Sequence, residues 1–317
     1  MTSSWGLGFS GLGWLGESLL KDLPAFPSLR LAAVQDARPE LAQSIAQRYG
    51  SPWHGSDYDA LLSAPEVDAV VICTPNALHV PQAQAALSAG KHVLVQKPLA
   101  LSRADARATL DLAAQQHRLL FVDYTYRFLE TVRVLRASVE HRPKRVRAAF
   151  HNIYGPGQEK TWFFDPRLSG GGALVDLGVH LLDLALWLLE PESVTLIDAE
   201  LTHALGLPVE DAARLRLSLD AEIAFDLAVS WNAPRPQTEI AFELDEYLRW
   251  ENVGGSFFHF RTRRGDQIVD DRETTLRADT LDAFANALQT GAAPPIDVRV
   301  YALLEEVLPQ VGPVRRQ

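Results

Sequence analysis

A glycine-rich turn near the start of the chain constrains the fold more than any other feature. Residues 5–10 read W-G-L-G-F-S, typical of a short buried strand, and Gly11-Leu12-Gly13-Trp14-Leu15-Gly16 follows before a helix-forming stretch at 17–23. Glycines at this spacing permit a tight turn and let backbone N–H groups at the helix N-terminus approach a pyrophosphate. The turn therefore predicts a parallel α/β sheet whose first strand–helix unit binds a dinucleotide through Gly11, Gly13, Trp14 and Leu15.

An acidic residue at the end of the second predicted strand bears on which dinucleotide binds. The strand at 29–35 ends in Asp36, which follows the last glycine of the turn by 20 residues. A carboxylate there can accept a hydrogen bond from a ribose 2′-hydroxyl and repels a 2′-phosphate, so NAD is favoured over NADP. Arg38 can neutralise a phosphate and keeps this preference small. A loop-capping role for Asp36 is the alternative.

The next strands deliver further polar residues to the same edge of the sheet. A continuous apolar run at 67–74 predicts a strand buried on both faces, and a second strand at 92–96 ends at Lys97-Pro98. Ligands of open α/β sheets bind at the carboxyl ends of the strands. The residues expected to contact the cofactor from these two strand ends are Thr74, Pro75, Asn76, His79, Gln96 and Lys97.

The pattern of the chain changes near its middle. Strands and helices alternate up to about residue 123, which predicts a doubly wound Rossmann domain at 1–123. The remainder, 124–317, predicts a second α/β domain with a large, mostly antiparallel open sheet, completed by helices at 280–289 and from an N-cap at Asp297 to residue 308. A sheet with one uncovered face favours a homo-oligomer, a homodimer or homotetramer.

The amino-acid composition of the chain limits the kinds of binding partner it can have. The net charge of −10 and the pI near 5.4 argue against nucleic acid or an anionic membrane, because both need a positive surface. The single cysteine, Cys73, excludes an intramolecular disulfide and fits a reducing, cytoplasmic setting. The first 16 residues lack the basic start of a signal peptide, and no apolar run is expected to reach the roughly 20 residues that span a bilayer. A small-molecule partner is favoured.

The stretch G-G-G-A-L-V-D-L-G-V-H-L-L-D at 170–183 is the second candidate site. An apolar helix is expected here, and at about 100° per residue Asp176, His180 and Asp183 share one face. Three interpretations remain open from these residues alone: satisfied polar groups of a core helix, a metal site, or a proton-transfer pair.

Several motifs occur together in an order that resembles the Gfo/Idh/MocA oxidoreductase family. They are the glycine turn at 11–16, Thr74-Pro75-Asn76 with His79, Lys97-Pro98, Tyr126-Arg127-Phe128, and the glycines at 170–172 with Asp176, Gly178 and His180. The resemblance covers most of the chain from about residue 5. One departure is visible, since the family usually reads Glu-Lys-Pro and this chain has Gln96 before Lys97.

The resemblance implies NAD(P)-dependent oxidation of a secondary hydroxyl in a sugar, sugar acid or cyclitol. It implies that Lys97 polarises the hydroxyl, that His180 acts as base and that Asp176 orients the imidazole, while Asp183 becomes a structural hydrogen-bonding residue and no metal is required. Residues expected to line the substrate pocket are Tyr126, Arg127, Tyr154 and Trp162. A non-enzymatic NAD(P)-binding regulator and a redox-neutral glycoside hydrolase that uses NAD are the alternatives.

Overall fold

A computed structural model describes residues 4–139, 141–156 and 161–308. The backbone contacts divide the chain into two compact units. The first comprises Met1–Thr125 with Arg277–Ile296, and the second comprises Tyr126–Leu276 with Asp297–Gln317. Each unit contains one sheet, so each has its own core.

The described residues of the first unit form a six-stranded parallel sheet in the order β3-β2-β1-β4-β5-β6. Its strands are β1 (Trp5–Ser10), β2 (Leu29–Gln35), β3 (His54–Gly55), β4 (Ala69–Ile72), β5 (His92–Gln96) and β6 (Leu120–Asp123). The helices that connect them are α1 (Trp14–Asp22), α2 (Pro39–Tyr49), α3 (Tyr58–Ser63), α4 (His79–Ser88) and α5 (Arg103–Gln115). The strand order reverses between β1 and β4, which places a ligand-binding crevice at the carboxyl ends of these two strands.

The described residues of the second unit form an eight-stranded sheet in the order β14-β13-β12-β11-β7-β10-β9-β8. Its strands are β7 (Arg145–Ile153), β8 (Val194–Thr202), β9 (Ala212–Leu219), β10 (Ile223–Ser230), β11 (Asn232–Glu243), β12 (Leu248–Asn252), β13 (His259–Arg264) and β14 (Gln267–Glu273). Among the described strands of this second sheet, only β7 and β10 pair in parallel. The predicted fold class, a Rossmann domain plus a mostly antiparallel sheet, is confirmed.

Helices cover one face of this second sheet. They are α6 (Glu130–Ser138), α8 (Val179–Leu189) and α10 (Arg299–Val307). The short helix α7 (Pro166–Ser169) lies in the same unit. The predicted cap of α10 differs slightly, because Val298 occupies the N-cap position while the Asp297 carboxylate accepts the Arg299 backbone N–H at 2.9 Å. The last nine residues of the predicted second domain, 309–317, lie outside the described residues.

The helix α9 (Leu276–Thr290) follows the second sheet in sequence but packs in the first unit. Its Phe284 meets Phe121 of β6 edge-on with ring centroids 5.5 Å apart. Thr280 of the same helix donates a hydrogen bond to the Asp123 carboxylate at 2.8 Å. The helix expected at 280–289 thus exists and begins four residues earlier.

The expectation about apolar runs was wrong. The helical stretch Pro166–Leu189 spans 24 residues and is long and apolar enough to cross a membrane by length and composition. In the second unit 78% of its most apolar window is buried. This burial is typical of the core helix of a globular domain, where an all-round apolar surface meets protein on every side.

Candidate functional site

The glycine turn at 11–16 has the close backbone approaches that a dinucleotide loop requires. Gly11 has φ +86°, and a Cβ there would lie 2.7 Å from the backbone of Cys73 and Thr74. A Cβ on Gly16 would lie 2.1 Å from the Gly11 carbonyl oxygen. Gly13, the N-cap of α1, faces open space with no described heavy atom within 4 Å of a built Cβ. The turn can therefore present the α1 N-terminus to a pyrophosphate at close range.

Asp36 is anchored to this turn. One carboxylate oxygen accepts the Leu12 backbone N–H at 2.8 Å, and the other accepts the Arg38 backbone N–H at 3.0 Å and its Nε at 2.9 Å. Burial alone raises the pKa of Asp36, but the hydrogen bonds from Arg38 and Leu12 outweigh it and hold the pKa below its ordinary value. The Asp36 side chain is 7% exposed and that of Arg38 is 65% exposed. A ribose substituent arriving from solvent would thus meet the guanidinium as well as the carboxylate.

His79 joins two of the strand-end loops. Its Nδ1 lies 2.7 Å from the Pro98 carbonyl oxygen and its Nε2 lies 2.9 Å from the Thr74 carbonyl oxygen. The ring is 1% exposed, and burial together with the charge of Lys97 lowers its pKa more than the two carbonyl groups raise it. The predicted cofactor contacts at Thr74, Pro75 and Asn76 are thereby held against the Lys97-Pro98 segment.

Gln96, the last residue of β5, contacts a carboxylate that sequence reasoning did not single out. Gln96 Nε2 donates to Asp123 Oδ2 at 2.6 Å, and Thr280 donates to the other Asp123 oxygen. Gln96 and Asp123 are direct neighbours in the β5–β6 register. Only the position of Asp123 at a strand end signalled it in the sequence.

Arg277, at the start of α9, is a second residue that sequence reasoning missed. Its guanidinium carbon lies 5.4 Å from the ring centroid of Trp14, whose side chain is 57% exposed on the glycine turn. Its positive charge lowers the pKa of Asp123. The sequence carried no signal for this placement, because 263 residues separate Arg277 from Trp14.

In the second unit, Glu210 organises the glycine-rich start of the candidate helix. Its carboxylate accepts the backbone N–H groups of Gly172 at 2.8 Å and Leu174 at 3.0 Å. A Cβ on Gly172 would lie 1.8 Å from the Glu210 carbonyl oxygen, so this position excludes any side chain. The glycine run is thus needed for a close backbone approach.

Asp176 lies in a π-helical turn, Leu174–Gly178, that precedes α8. The Val179 N–H donates to the Leu174 carbonyl, five residues back, so the spacing of the side chains departs from the regular helix predicted for 170–183. Asp176 Oδ2 accepts the indole N–H of Trp231 at 3.0 Å, and Trp231 is 1% exposed. Trp231, the residue directly after β10, therefore holds the Asp176 carboxylate in place. π-helical turns of this kind are frequent at functional sites.

His180 and Asp183 differ in their surroundings. The His180 ring packs on Tyr126 with centroids 5.1 Å apart and is partly exposed, whereas Asp183 is 1% exposed. Arg127 donates to Asp183 through Nε at 2.6 Å and through a terminal nitrogen. Burial raises the pKa of Asp183, and the guanidinium opposes this rise. Asp183 and Arg127 thus form a buried ion pair within the unit, and Tyr126, 5% exposed, supports the imidazole.

Two predicted substrate residues belong to one aromatic cluster. Tyr154 packs with its ring centroid 5.6 Å from that of Trp231, and Trp162 lies edge-on to Phe163 at 4.3 Å. Phe163 in turn stacks on Trp231 at 6.2 Å. Tyr154 and Trp162 are half-buried. Tyr154 contacts Trp231, the residue that holds Asp176, and Trp162 joins the same cluster through Phe163.

The residues described hold no group of three or more His, Cys, Asp or Glu side chains arranged to bind a metal ion. A dinucleotide, in contrast, fits the residues of the first unit. The open space at Gly13, the close backbone packing of Gly11 and Gly16, and the carboxylate at Asp36 all lie at the carboxyl edge of the parallel sheet.

Two family descriptions match the chain. Residues 6–124 match "Oxidoreductase family, NAD-binding Rossmann fold", and residues 133–249 match "GFO/IDH/MocA C-terminal domain". The predicted cofactor class, a nicotinamide dinucleotide bound by a Rossmann domain, is confirmed at this level.

Curated relatives point to the same family. D-glucoside 3-dehydrogenase of Escherichia coli is 33% identical over 56% of this chain and 52% of its own length. A protein of Amycolatopsis mediterranei, named for the oxidoreductase subunit of a UDP-kanosamine synthase, is 32% identical over 70% of this chain and 67% of its own length. The chain spans about half the length of the first curated relatives it matches.

A solved levoglucosan dehydrogenase, in complex with NADH and levoglucosan, shares the fold. It superposes with a TM-score of 0.84 at 20% identity and covers 96% of each chain. The matches to both domain descriptions, in the order predicted from the motifs, show that this chain belongs to the Gfo/Idh/MocA family.

Proposed function

We propose that this chain is an NAD(P)-dependent oxidoreductase that transfers a hydride between the nicotinamide and a secondary hydroxyl of a small sugar, sugar acid or cyclitol. Family membership and the names of the relatives, several of them sugar or inositol dehydrogenases, support this class of reaction. The observation that carries the proposal is the Asp176 carboxylate, which Trp231 holds on the π-helical turn leading into the helix of His180. A fixed carboxylate four residues before a partly exposed imidazole on the same helical segment is suited to a proton-transfer pair.

The first unit would hold the dinucleotide. Backbone N–H groups of the glycine turn would bind the pyrophosphate, Asp36 and Arg38 would bind the adenosine ribose, and the loops ending in His79 and Lys97 would flank the nicotinamide. When bound, the cofactor supplies the hydride acceptor or donor. NAD is the preferred cofactor in this proposal, and the exposed Arg38 leaves NADP accessible.

The chain's own residues would handle the proton. His180 takes the proton of the substrate hydroxyl during oxidation and returns it during reduction. Asp176 stabilises the protonated imidazole, and Trp231 keeps that carboxylate in place. Lys97 donates a hydrogen bond to the substrate oxygen and compensates the negative charge that develops on it.

The aromatic cluster would bind the substrate. Tyr154 and Trp162 offer partly exposed rings on which the C–H face of a polyol can stack. Tyr126 and Arg127, both 5% exposed, would act behind this surface by supporting His180 and Asp183. We further propose a homodimer or homotetramer, because one face of the second sheet is left without covering helices. A cytoplasmic setting with no nucleic-acid or membrane partner is proposed because the chain is acidic and contains one cysteine.

Replacement of the two proposed proton-handling groups tests the mechanism. Lys97→Ala and His180→Ala should each lower turnover by about 10²–10⁴-fold, far more than they raise the dissociation constant for reduced cofactor, measured by fluorescence. Lys21→Ala and His54→Ala, both at exposed positions, are the matched controls and should retain turnover. Near-normal turnover in either Lys97→Ala or His180→Ala would contradict the assignment.

A substrate panel tests the reaction class. Sugars, sugar acids and cyclitols are offered with NAD and NADP in parallel, and formation of reduced cofactor is followed by absorbance. Reduction with at least one compound is expected. Release of free sugar from an aryl glycoside without net reduced cofactor would indicate a glycoside hydrolase instead, and cofactor binding without any turnover would indicate a regulator.

A further inference from the structure

The first turn of α9 extends beyond the carboxyl edge of the parallel sheet. Thr280 donates a hydrogen bond at 2.8 Å to Asp123, the last residue of β6, whereas Phe284, one turn later, meets Phe121 two residues earlier in that strand. The helix therefore runs antiparallel to β6, and Arg277, one turn before Thr280, lies past the end of the strand. Ligands of open α/β sheets bind at this edge.

Arg277 reaches the glycine turn from this position. Its guanidinium carbon lies 5.4 Å from the ring centroid of Trp14, which is the first residue of α1, directly after the N-cap Gly13. A planar guanidinium above an aromatic ring is held by a cation–π interaction. Because β4 and β5 lie between β1 and β6, this contact connects elements on either side of the strand ends where the cofactor is expected.

The charge of Arg277 is available to a ligand. Arg277 is half-buried, and among the described residues it forms no ion pair with a carboxylate. The glycine turn at 11–16 contains no cationic side chain, so it offers a pyrophosphate only backbone N–H groups. A pyrophosphate carries a negative charge on each phosphate, and a half-buried cation beside the turn compensates that charge.

The influence of Arg277 on buried groups agrees with this placement. Burial raises the pKa of Cys73 and of Asp123, and the positive charge of Arg277 opposes the rise in both. Cys73 directly follows β4, and a Cβ on Gly11 would lie 2.7 Å from its backbone. The charge therefore acts at the strand ends against which the glycine turn packs.

We propose that Arg277 and Trp14 form a clamp on the cofactor: the guanidinium binds the pyrophosphate beside the glycine turn, and the indole ring holds the guanidinium in place. This inference rests on the proposed function, because it assigns a further binding residue to the same dinucleotide site. Arginine suits the role, since its planar group donates parallel hydrogen bonds to phosphate oxygens while one face stays on an aromatic ring. The packing of α9 on β6 fixes the backbone that carries it.

Removal of the guanidinium tests the clamp through affinity instead of turnover. Arg277→Gln keeps a polar side chain and removes the charge. In calorimetric titrations of the full chain, the Kd values for NADH and ADP-ribose, which both contain the pyrophosphate, should rise by about 10–100-fold, the range of a charge-assisted hydrogen bond. The Kd for adenosine, which lacks phosphate, should stay the same. Arg277→Lys keeps the charge without the planar group and should recover part of the lost affinity.

A double-variant cycle tests the part of the indole ring. Trp14→Leu should raise the Kd values for NADH and ADP-ribose by about 3–10-fold when Arg277 is present, because the guanidinium loses the ring that holds it. In the Arg277→Gln background the same substitution should have little further effect. Losses that simply add would show that the two residues act independently, and would overturn the clamp.

Arg30→Gln is the matched control. Arg30 is also half-buried, with a side chain 38% exposed, but it pairs with Glu66 and lies beside Gly6 near the amino ends of β1 and β2. This variant should bind NADH, ADP-ribose and adenosine as the wild type does. An Arg30→Gln protein that loses as much NADH affinity as Arg277→Gln would overturn the clamp, because the effect would then come from net charge.

The outcomes separate the clamp from the proposed function. NADH binding by the wild type with an unchanged Kd in Arg277→Gln would overturn only the clamp. Equal losses of adenosine and ADP-ribose affinity in Arg277→Gln would also overturn it, since they would assign Arg277 to the structure of the unit. The expected affinity changes together with no turnover on the substrate panel would support the clamp and overturn the proposed reaction.

Discussion

At the scale of single residues, the candidate site depends on polar groups that are buried and therefore need partners inside the protein. His79 lies between two backbone carbonyl groups, Asp183 binds Arg127, and Asp123 binds Gln96. A neutral imidazole can donate to only one carbonyl at a time. Protonation of His79 would satisfy both carbonyl groups, but burial opposes the charge, so this residue makes folding sensitive to pH.

The first prediction concerns this sensitivity. The pKa of folded His79 is lowered from the ordinary 6.5, so the unfolded chain binds more protons at this residue than the folded chain does. The associated stability is present above about pH 6.5 and is lost as the pH falls through the lower, folded-state pKa. In urea denaturation at pH 7.5 and 5.5, His79→Gln should therefore lose less stability between the two pH values than the wild type. His54→Gln, at an exposed position, is the control and should match the wild type; an equal pH dependence in wild type and His79→Gln would refute the prediction.

At the scale of secondary-structure elements, the π-helical turn at 174–178 and the end of β10 build the second candidate site together. The turn widens the helix where Asp176 emerges, and Trp231, which follows β10, donates to that carboxylate. Glu210 holds the glycines before the turn through two backbone N–H groups. The position of Asp176 thus depends on a strand end and a loop distant in sequence as well as on its own helix.

The second prediction tests this dependence. Trp231→Phe keeps most of the apolar volume and removes the indole N–H that holds Asp176. Turnover should fall by about tenfold or more, in the range of a mispositioned proton-transfer partner, while the cofactor dissociation constant stays the same. Trp250→Phe is the matched control, because it removes an indole hydrogen bond to Thr131 at 2.9 Å instead. If both variants lose equal turnover, the effect comes from packing and Asp176 does not depend on Trp231.

Local sequence patterns predicted the regular elements well. The strands expected at 29–35 and 92–96 have the expected bounds, because the apolar, β-branched pattern of a buried strand acts over a few residues.

Those local patterns did not predict which residues distant in sequence contact the site residues. Trp231 is 55 residues from Asp176, and Glu210 is 38 residues from Gly172. Such pairs are set by tertiary packing, which leaves no periodic signal in the sequence. The π-helical turn escaped prediction for a related reason, since one widened turn within an apolar run does not change its composition.

At the scale of the whole molecule, the exposed positions of the second sheet carry charged side chains as well as large apolar ones such as Ile197 and Ile268. Arg147 lies 4.0 Å from Glu243, and Arg216 donates to Asp198 at 3.1 Å, both on exposed positions of the strands. Cross-strand pairs of this kind stabilise an open sheet. An interface between copies on this face would therefore include charged groups, which contribute to its specificity.

The third prediction concerns the proposed homo-oligomer. If the outward face is the interface, the double variant Arg147→Glu and Arg216→Glu should convert the dimer or tetramer to a monomer through like-charge repulsion, as measured by sedimentation. Arg107→Glu, at an exposed position of α5 in the first unit, should keep the oligomer. A monomeric wild type would contradict the proposed oligomer. An unchanged mass in the double variant would show that the interface lies on another face of the molecule.

The helix α9 packs in the first unit although it follows the second sheet in sequence, and this order affects folding during biosynthesis. The strands of that unit are complete by residue 123, but Phe284 and Thr280, which pack on β6, are translated only after the entire second sheet. At about 5–20 residues per second, the nascent Rossmann unit would wait on the order of ten seconds or more with the packing surface of β6 exposed. Aggregation and chaperone binding during synthesis should therefore concentrate on this surface, and a fragment ending at residue 125 would carry the same defect permanently.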